Sequence, residues 1–280
     1  MKQKSVLITG CSSGIGKCLA HGLRNRGYRI YATARQPADV DELAADGFES
    51  LRLDLDSSES IRYTVNEVLQ RTDSKLYALI NNGAYGQPGA VEDLSRETLR
   101  AQFETNLFGT QELTNLVIPV MRAQGEGRII QMSSLLGIVC LAYRGAYNAS
   151  KYALEALSDT LRLELRHSNI HVSIIEPGPI ESRFRANAYA AFKRNIDREH
   201  SVYRDYYARV EKRLAGPKPM PFTLPPEAVL KKVIRALEAR RPKARYGVTF
   251  STHLFVVLRR VLPVRVLDQI LSATGNGGRR

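Results

Sequence analysis

The stretch Val6-Leu7-Ile8-Thr9-Gly10-Cys11-Ser12-Ser13-Gly14-Ile15-Gly16 decides how this chain folds. A short apolar run ends in a turn with glycines at 10, 14 and 16, and an amphipathic stretch follows to Arg26. Glycine lets the backbone turn tightly and come close to an anion. The N-terminus of the helix behind it offers free N–H groups and the positive end of a dipole. Apolar strand, glycine turn and helix in that order form a phosphate-holding unit of an α/β sheet.

Apolar runs and amphipathic stretches continue to alternate beyond it. Strands are expected at 28–33, 51–53, 76–80, 128–132 and 171–175, with 246–248 as a last one. Helical spacing runs through 61–69, where Ile61, Val65, Val68 and Leu69 share a face, and through 97–121, 146–166 and 227–240. Strands apolar on both faces, separated by helices, call for a doubly wound parallel sheet covered on both sides. After Pro177-Gly178-Pro179 the texture becomes polar, basic and tyrosine-rich over 183–216, and Gly216-Pro217-Lys218-Pro219-Met220-Pro221 breaks regular structure. Residues 253–271 are dense in Leu, Val, Ile and Phe, interleaved with Arg259, Arg260 and Arg265. A helix this apolar should not face water. It packs on the rest of the chain, joins a second subunit, or lies at a membrane surface, and Pro263 kinks or splits it. The glycine-rich tail after it is expected to be loose.

The chain has 280 residues, 44% hydrophobic and 25% charged, which suits one large folded domain and excludes wholesale disorder. Its net charge of +13 is unevenly spread: residues 1–179 carry 19 Lys/Arg against 20 Asp/Glu, and residues 180–280 carry 22 against 8. Such a surplus signals an anionic partner, nucleic acid or membrane, or else a solvated basic face. No nucleic-acid motif accompanies it, so no nucleic-acid partner is expected. Cys11, Cys18 and Cys140 form no metal or C-x-x-C spacing and read as reduced thiols, and the five histidines show no zinc spacing. The N-terminus lacks a signal-peptide core, and no apolar run approaches the ~18 residues of a spanning helix. A cytoplasmic protein is expected, with contact to the inner face of a membrane and self-association left open.

Tyr147 and Lys151 stand four apart on a predicted helix and therefore share a face. A free tyrosine titrates near 10 and is a poor base at neutral pH. A nearby ammonium favours phenolate, which makes proton exchange with an alcohol or carbonyl feasible. Tyr31-Ala32-Thr33-Ala34-Arg35 closes the second strand without an acid. An acid there would bind a ribose 2′-OH, whereas Arg35 matches a 2′-phosphate in charge and donor geometry, with Ser12 as a further donor.

Thr9-Gly10-x-x-x-Gly14-Ile15-Gly16 resembles the cofactor loop of the short-chain dehydrogenase/reductase family, and further motifs follow in family order over roughly residues 5–185. The texture is that of its bacterial aldehyde reductases and its hydroxysteroid or retinol dehydrogenase branch. The resemblance implies a single-domain Rossmann fold; with the texture of the rest of the chain, residues 1–250 are expected as the NADP-binding catalytic domain, including a substrate lobe at 183–225, and 251–280 as an apolar and basic C-terminal helical extension. It implies NADP(H) held by Gly10, Ser12, Ser13, Gly14, Ile15, Gly16 and Arg35. Asp54 stands where the family contacts the adenine, with Leu55 beside it, and Asn82 and Gly83 follow the fourth strand. Pro177, Gly178, Ile180 and Ser182 lie along the nicotinamide, and Tyr147 and Lys151 complete the set. It implies catalysis by Tyr147 and Lys151, with Ser134 bonding the reacting oxygen and Asn106 ordering a relay water; no metal is involved. Ser133 is the neighbouring alternative to Ser134, but alternation along the strand favours Ser134. In Asn81-Asn82-Gly83-Ala84 the last two residues are swapped relative to the family, which predicts a local adjustment. Val139, Leu141, Tyr143, Tyr85, Phe184, Tyr189 and Phe192 are the pocket candidates, and the implied substrate is a small lipophilic aldehyde, ketone or alcohol. A non-catalytic NADP-binding regulator on the same fold is the alternative.

Overall fold

The computed structural model describes residues 3–215 and 222–275. Its strands are β1 (Ser5–Ile8), β2 (Arg29–Ala34), β3 (Glu49–Arg52), β4 (Ala78–Asn81), β5 (Gly127–Met132), β6 (Ile170–Glu176) and β7 (Arg245–Gly247). They form one sheet in the order β3-β2-β1-β4-β5-β6-β7, every pair parallel. The single-domain Rossmann architecture is therefore present, with the strand order reversing between β1 and β4.

Alternate residues of each strand point to opposite faces. Val6 and Ile8 join Ala32, Ile80 and Met132 beneath α1 (Gly14–Arg24), α2 (Pro37–Ala45) and, farther on, α9 (Glu227–Glu238). Leu7, Tyr31, Leu79 and Ile129 pack on α3 (Ser58–Arg71) and α5 (Gly109–Gln124) across the other face. Burial on both faces explains the unbroken apolar runs. It also explains why α2 was not foreseen: Leu43 is its one buried residue, too weak a periodic signal.

The helix expected over 97–121 is interrupted. α4 (Arg96–Phe103) passes into a π-turn at Glu104–Phe108 before α5 begins. The tyrosine-rich stretch holds two helices, α7 (Phe184–Asn195) and α8 (Arg204–Ala215), with α6 (Gly145–Glu164) preceding β6. Phe192 and Tyr207 pack together at 5.1 Å beside Ala90, Leu94 and Ala146. Phe192 is fully buried there and is core, not pocket lining. The segment ending the chain is α10 (Phe250–Val261) and α11 (Val264–Gly275), split at Pro263. The Gly216–Pro221 break and the tail from 276 lie outside the described residues.

Helix α5 approaches the sheet edge so closely that a Cβ at Gly109 would lie 1.8 Å from Leu55 O. Overpacking of this kind costs about 1–3 kcal/mol. Gly109→Ala is expected to lower the thermal midpoint by several degrees in a calorimetric scan. An unchanged midpoint would show that the Leu55 turn yields freely.

Candidate active site

The residues singled out from the sequence gather at the C-terminal edge of the sheet, where the strand order reverses. Ligands of open α/β sheets bind at such switch points. The loop after β1 needs glycine: Gly10 has φ +70°, and a Cβ at Gly16 would lie 2.0 Å from Gly10 O. Thr9 Oγ1 accepts from the N–H groups of Asn82 (2.9 Å) and Gly83 (2.7 Å). Asn82 Nδ2 donates to Thr9 O (2.9 Å) and Gly10 O (3.0 Å). Asn82 thus braces the loop with its amide and has its backbone at the crevice. The Gly83-Ala84 order fits: a Cβ at Gly83 would meet Thr9 Oγ1 at 3.2 Å and Leu55 Cδ1 at 3.3 Å, so glycine relieves crowding there.

Helix α1 starts at Gly14 with Ser13 as its N-cap, makes no side-chain cap hydrogen bond and has no acid in its first turn. A pyrophosphate fits that end in charge and in free donors. Ser12 is half-buried in the same loop, and Arg35 is exposed at the end of β2. Asp54 is held by backbone contacts, its N–H on Ser60 Oγ (3.0 Å) and its Oδ1 accepting from Asp56 N–H (3.2 Å). Pro177 O accepts from Leu135 N–H (2.8 Å), and Gly178 backs onto Thr249. Ser182 reaches across to Gly14, where a Cβ would be 2.6 Å from its own. Ile15 and Ile180 are partly buried and pack against the core under α1 and α9. The residues present fit a nicotinamide dinucleotide.

Helix α6 carries Tyr147, Ser150, Lys151 and Glu155 on its buried face. Burial pushes the Tyr147 hydroxyl up to about 12, while the Ser134 hydroxyl bonded to it and the charge of Arg144 pull the other way. The ammonium expected to lower it is turned elsewhere: Lys151 Nζ donates to Met132 O (2.7 Å) and stands 5.9 Å from the Tyr147 ring centre. Burial brings Lys151 itself down to about 8, with Glu155 holding it up. Ser134 Oγ also accepts from Leu136 N–H (3.1 Å), which caps the turn Leu135–Gly137. Ser133 points away from Tyr147, into buried space behind Gly137.

Asn106 sits in the π-turn and spends its amide on the chain after β4. Its Oδ1 accepts from Tyr85 N–H (3.1 Å), and its Nδ2 donates to Tyr85 O (2.9 Å) and Ser150 Oγ (3.1 Å). Phe184 lies edge-on to Tyr147 with ring centres 5.3 Å apart. Tyr143 stacks on Tyr206 at 3.7 Å, and Tyr189 packs into the aromatic cluster around Phe192. Val139 and Leu141 pack against α10 and α11.

One cluster escaped the sequence reading. Arg245 binds Asp159 through two hydrogen bonds (3.0 and 2.7 Å) and Glu155 through one (2.9 Å), with Glu176 Oε1 3.2 Å from its Nε. The only signal was spacing: Glu155 and Asp159 continue the Tyr147–Lys151 stripe at intervals of four. Acids on a helix face ordinarily read as solvated.

The family model for short chain dehydrogenase matches residues 4–192. The chain is 45% identical over 271 residues to the uncharacterized oxidoreductase YbbO of Escherichia coli strain K12, covering 96% of this chain and 94% of that protein. It is 32% identical over 272 residues to an NADPH-dependent 3-dehydrocapnine reductase of Ornithobacterium rhinotracheale, covering 94% of each. To a 3-ketodihydrosphingosine reductase of Bacteroides thetaiotaomicron it is 34% identical over 206 residues, covering 74% of this chain and 72% of that one. Among solved structures, a short-chain dehydrogenase from Streptomyces avermitilis superposes with a TM-score of 0.78 at 29% identity, covering 96% and 94% of the two chains. The chain belongs to the short-chain dehydrogenase family. It is an oxidoreductase that uses a nicotinamide cofactor.

The buried acids make a titration prediction. Burial, then the charge of Glu155, raises Glu176 from 4.5 to about 7. The folded state therefore holds a proton that the unfolded state gives up, and this group's contribution to stability falls as pH rises from about 4.5 to about 7. Glu176→Gln removes that loss. The thermal midpoint of the variant minus that of the parent should climb from pH 5 to pH 8; a difference independent of pH would mean that Glu176 ionises normally.

Proposed function

We propose that this chain is an NADP(H)-dependent reductase of lipophilic aldehydes or ketones, working reversibly with the alcohols, and that Tyr147 is its general acid. The observation that carries the reading is the buried Tyr147 hydroxyl beside Ser134, raised to about 12 and so a neutral phenol at physiological pH. A phenol that keeps its proton is the state a carbonyl reduction needs. The bound cofactor supplies the hydride. Tyr147 Oη holds the proton that the developing alkoxide takes, and Ser134 Oγ orients that oxygen. Lys151, whose value near 8 keeps it largely charged at neutral pH, stands 5.9 Å from the Tyr147 ring centre and would favour the phenolate through space, not by direct contact. Asn106 fixes the Tyr85 backbone and Ser150, which sets the wall of the pocket and the first turns of α6.

Three observations support NADP(H) and a lipophilic substrate. Arg35 stands exposed where a NAD-selective site has an acid. Phe184 sets an aromatic ring edge-on to Tyr147. Two relatives are named as reductases, of 3-dehydrocapnine and of 3-ketodihydrosphingosine, the first as NADPH-dependent. These names favour the reductase branch over a non-catalytic regulator. In this reading residues 1–250 are the catalytic domain, 183–225 its substrate lobe and 251–280 an appended segment.

A panel of aldehydes and ketones with NADPH, followed by absorbance, tests the activity. Tyr147→Phe should keep NADPH binding and lose turnover by roughly 10²–10⁴; turnover near the parent's would remove Tyr147 from the chemistry. Arg35→Ala should weaken NADPH by about tenfold or more while leaving NADH nearly unchanged, since a charge-assisted contact is lost. Equal loss for both cofactors would make Arg35 structural.

A further inference from the structure

Helix α10 has two apolar faces, and among the described residues the fold covers one. Inward, Phe255 and Leu258 pack on Leu135 and Val139, together with Leu271 of α11. Outward, Phe250, Leu254, Val257 and Val261 recur every three or four residues and are 65, 40, 56 and 67% exposed. Val264, at the start of α11, is 73% exposed, and Phe222 lies against Phe250 with ring centres 6.1 Å apart. A contiguous apolar surface of this kind marks a contact with something else. Pro263 breaks the segment, so its residues cannot all turn inward, which leaves a second subunit or a membrane surface as the cover for this face.

The charges beside the stripe choose the occupant. Arg260 and Arg265 are exposed along it, and Asp268 is the single acid between 250 and 275. A second copy placed here by a two-fold axis would present the same surface to itself, bringing arginines together with little acid to offset them. An anionic bilayer meets both demands, apolar side chains in its boundary and guanidinium groups among phosphates. Among the described residues no helix is long and apolar enough to cross a membrane, so the contact is one of lying flat. We propose that the outward face of α10 and the start of α11 dock this enzyme on an anionic lipid surface. The inward face of the same helices backs the turn after Ser134, so docking would set the active site at the bilayer boundary. The surface is argued independently of the substrate reading.

The test is flotation of the full chain with phosphatidylcholine vesicles, with and without phosphatidylglycerol, at low and high salt. The parent should float with the anionic vesicles and be released by salt. The pair Val257→Asp and Val261→Asp, both exposed and so harmless to the fold, should lower partitioning about tenfold or more. Arg260→Glu and Arg265→Glu should each lower it about fivefold or more. Unchanged thermal midpoints and unchanged reduction of a water-soluble aldehyde would separate docking from folding and from the proposed chemistry. Three outcomes overturn the proposal: a parent that stays in the soluble fraction, aspartate variants that float like the parent, or a sedimenting dimer that the aspartates split and vesicles do not compete for.

Discussion

Two strands that are distant in sequence are clamped at their ends by one threonine and one asparagine. Thr9 Oγ1 accepts from the backbone after β4, and Asn82 Nδ2 donates back to the carbonyls of Thr9 and Gly10. The clamp closes only because residues 10, 16 and 83 lack side chains, since a Cβ at Gly10 would lie 2.8 Å from Gly83 Cα. Loosening it would separate the glycine loop from the β4 end, and the crevice at the switch point would lose its floor. The backbone groups that face an anion, and the place where β4 hands the chain to Tyr85, both hang from it. Asn106 grips the far side of that same segment, so the loop after β4 is fixed at both ends by amides.

A row of the interior's ionisable groups is laid along one stripe of α6. Tyr147, Lys151, Glu155 and Asp159 follow at intervals of four, passing from a buried phenol to an ion pair at the surface. Burial shifts each ionisable group in this interior toward its neutral form: the phenol up, the amine down, and Glu155 and Glu176 up. Arg245 limits that drift for the acids. A single guanidinium spreads its donors over Asp159 and Glu155 and sets its Nε beside Glu176, which the planar fork permits and an ammonium would not. The retained charge on Glu155 matters one turn back, where it opposes the loss of the Lys151 proton.

What the sequence made legible follows from which interactions are local. The glycine loop, the doubly buried strands and the Tyr147–Lys151 pair are all short-range patterns, and the doubly wound parallel sheet was read from them, though not its strand order. The π-turn at Glu104–Phe108 was hidden because one extra residue in a turn barely disturbs a helical period read over 97–121. Helices α7 and α8 were hidden because their buried faces are built from Phe192 and Tyr207 amid charged residues, so composition resembled a polar loop. Arg245 lies some 90 residues from Glu155, at the far side of the sheet, and only the pairing of β6 with β7 brings it there.

The last two helices belong to the site's support as well as to the surface. Thr252 Oγ1 donates to Glu176 O (3.2 Å), and the Arg259 guanidinium donates to Ile138 O while lying over the Tyr152 ring. Phe255 and Leu271 fill the space behind Leu135 and Val139, on the turn that Ser134 caps. That turn is capped by the Ser134 hydroxyl, tied to the carbonyl of Pro177 and packed closely on α6, where a Cβ at Gly137 would lie 3.1 Å from Glu155 Cγ and 3.2 Å from Lys151 O. Its position is therefore set chiefly by α6, and α10 closes the space behind it. The inward face of α10 and the Ser134 turn are thus separated by a single layer of packed side chains, while α6 holds that turn from its other side.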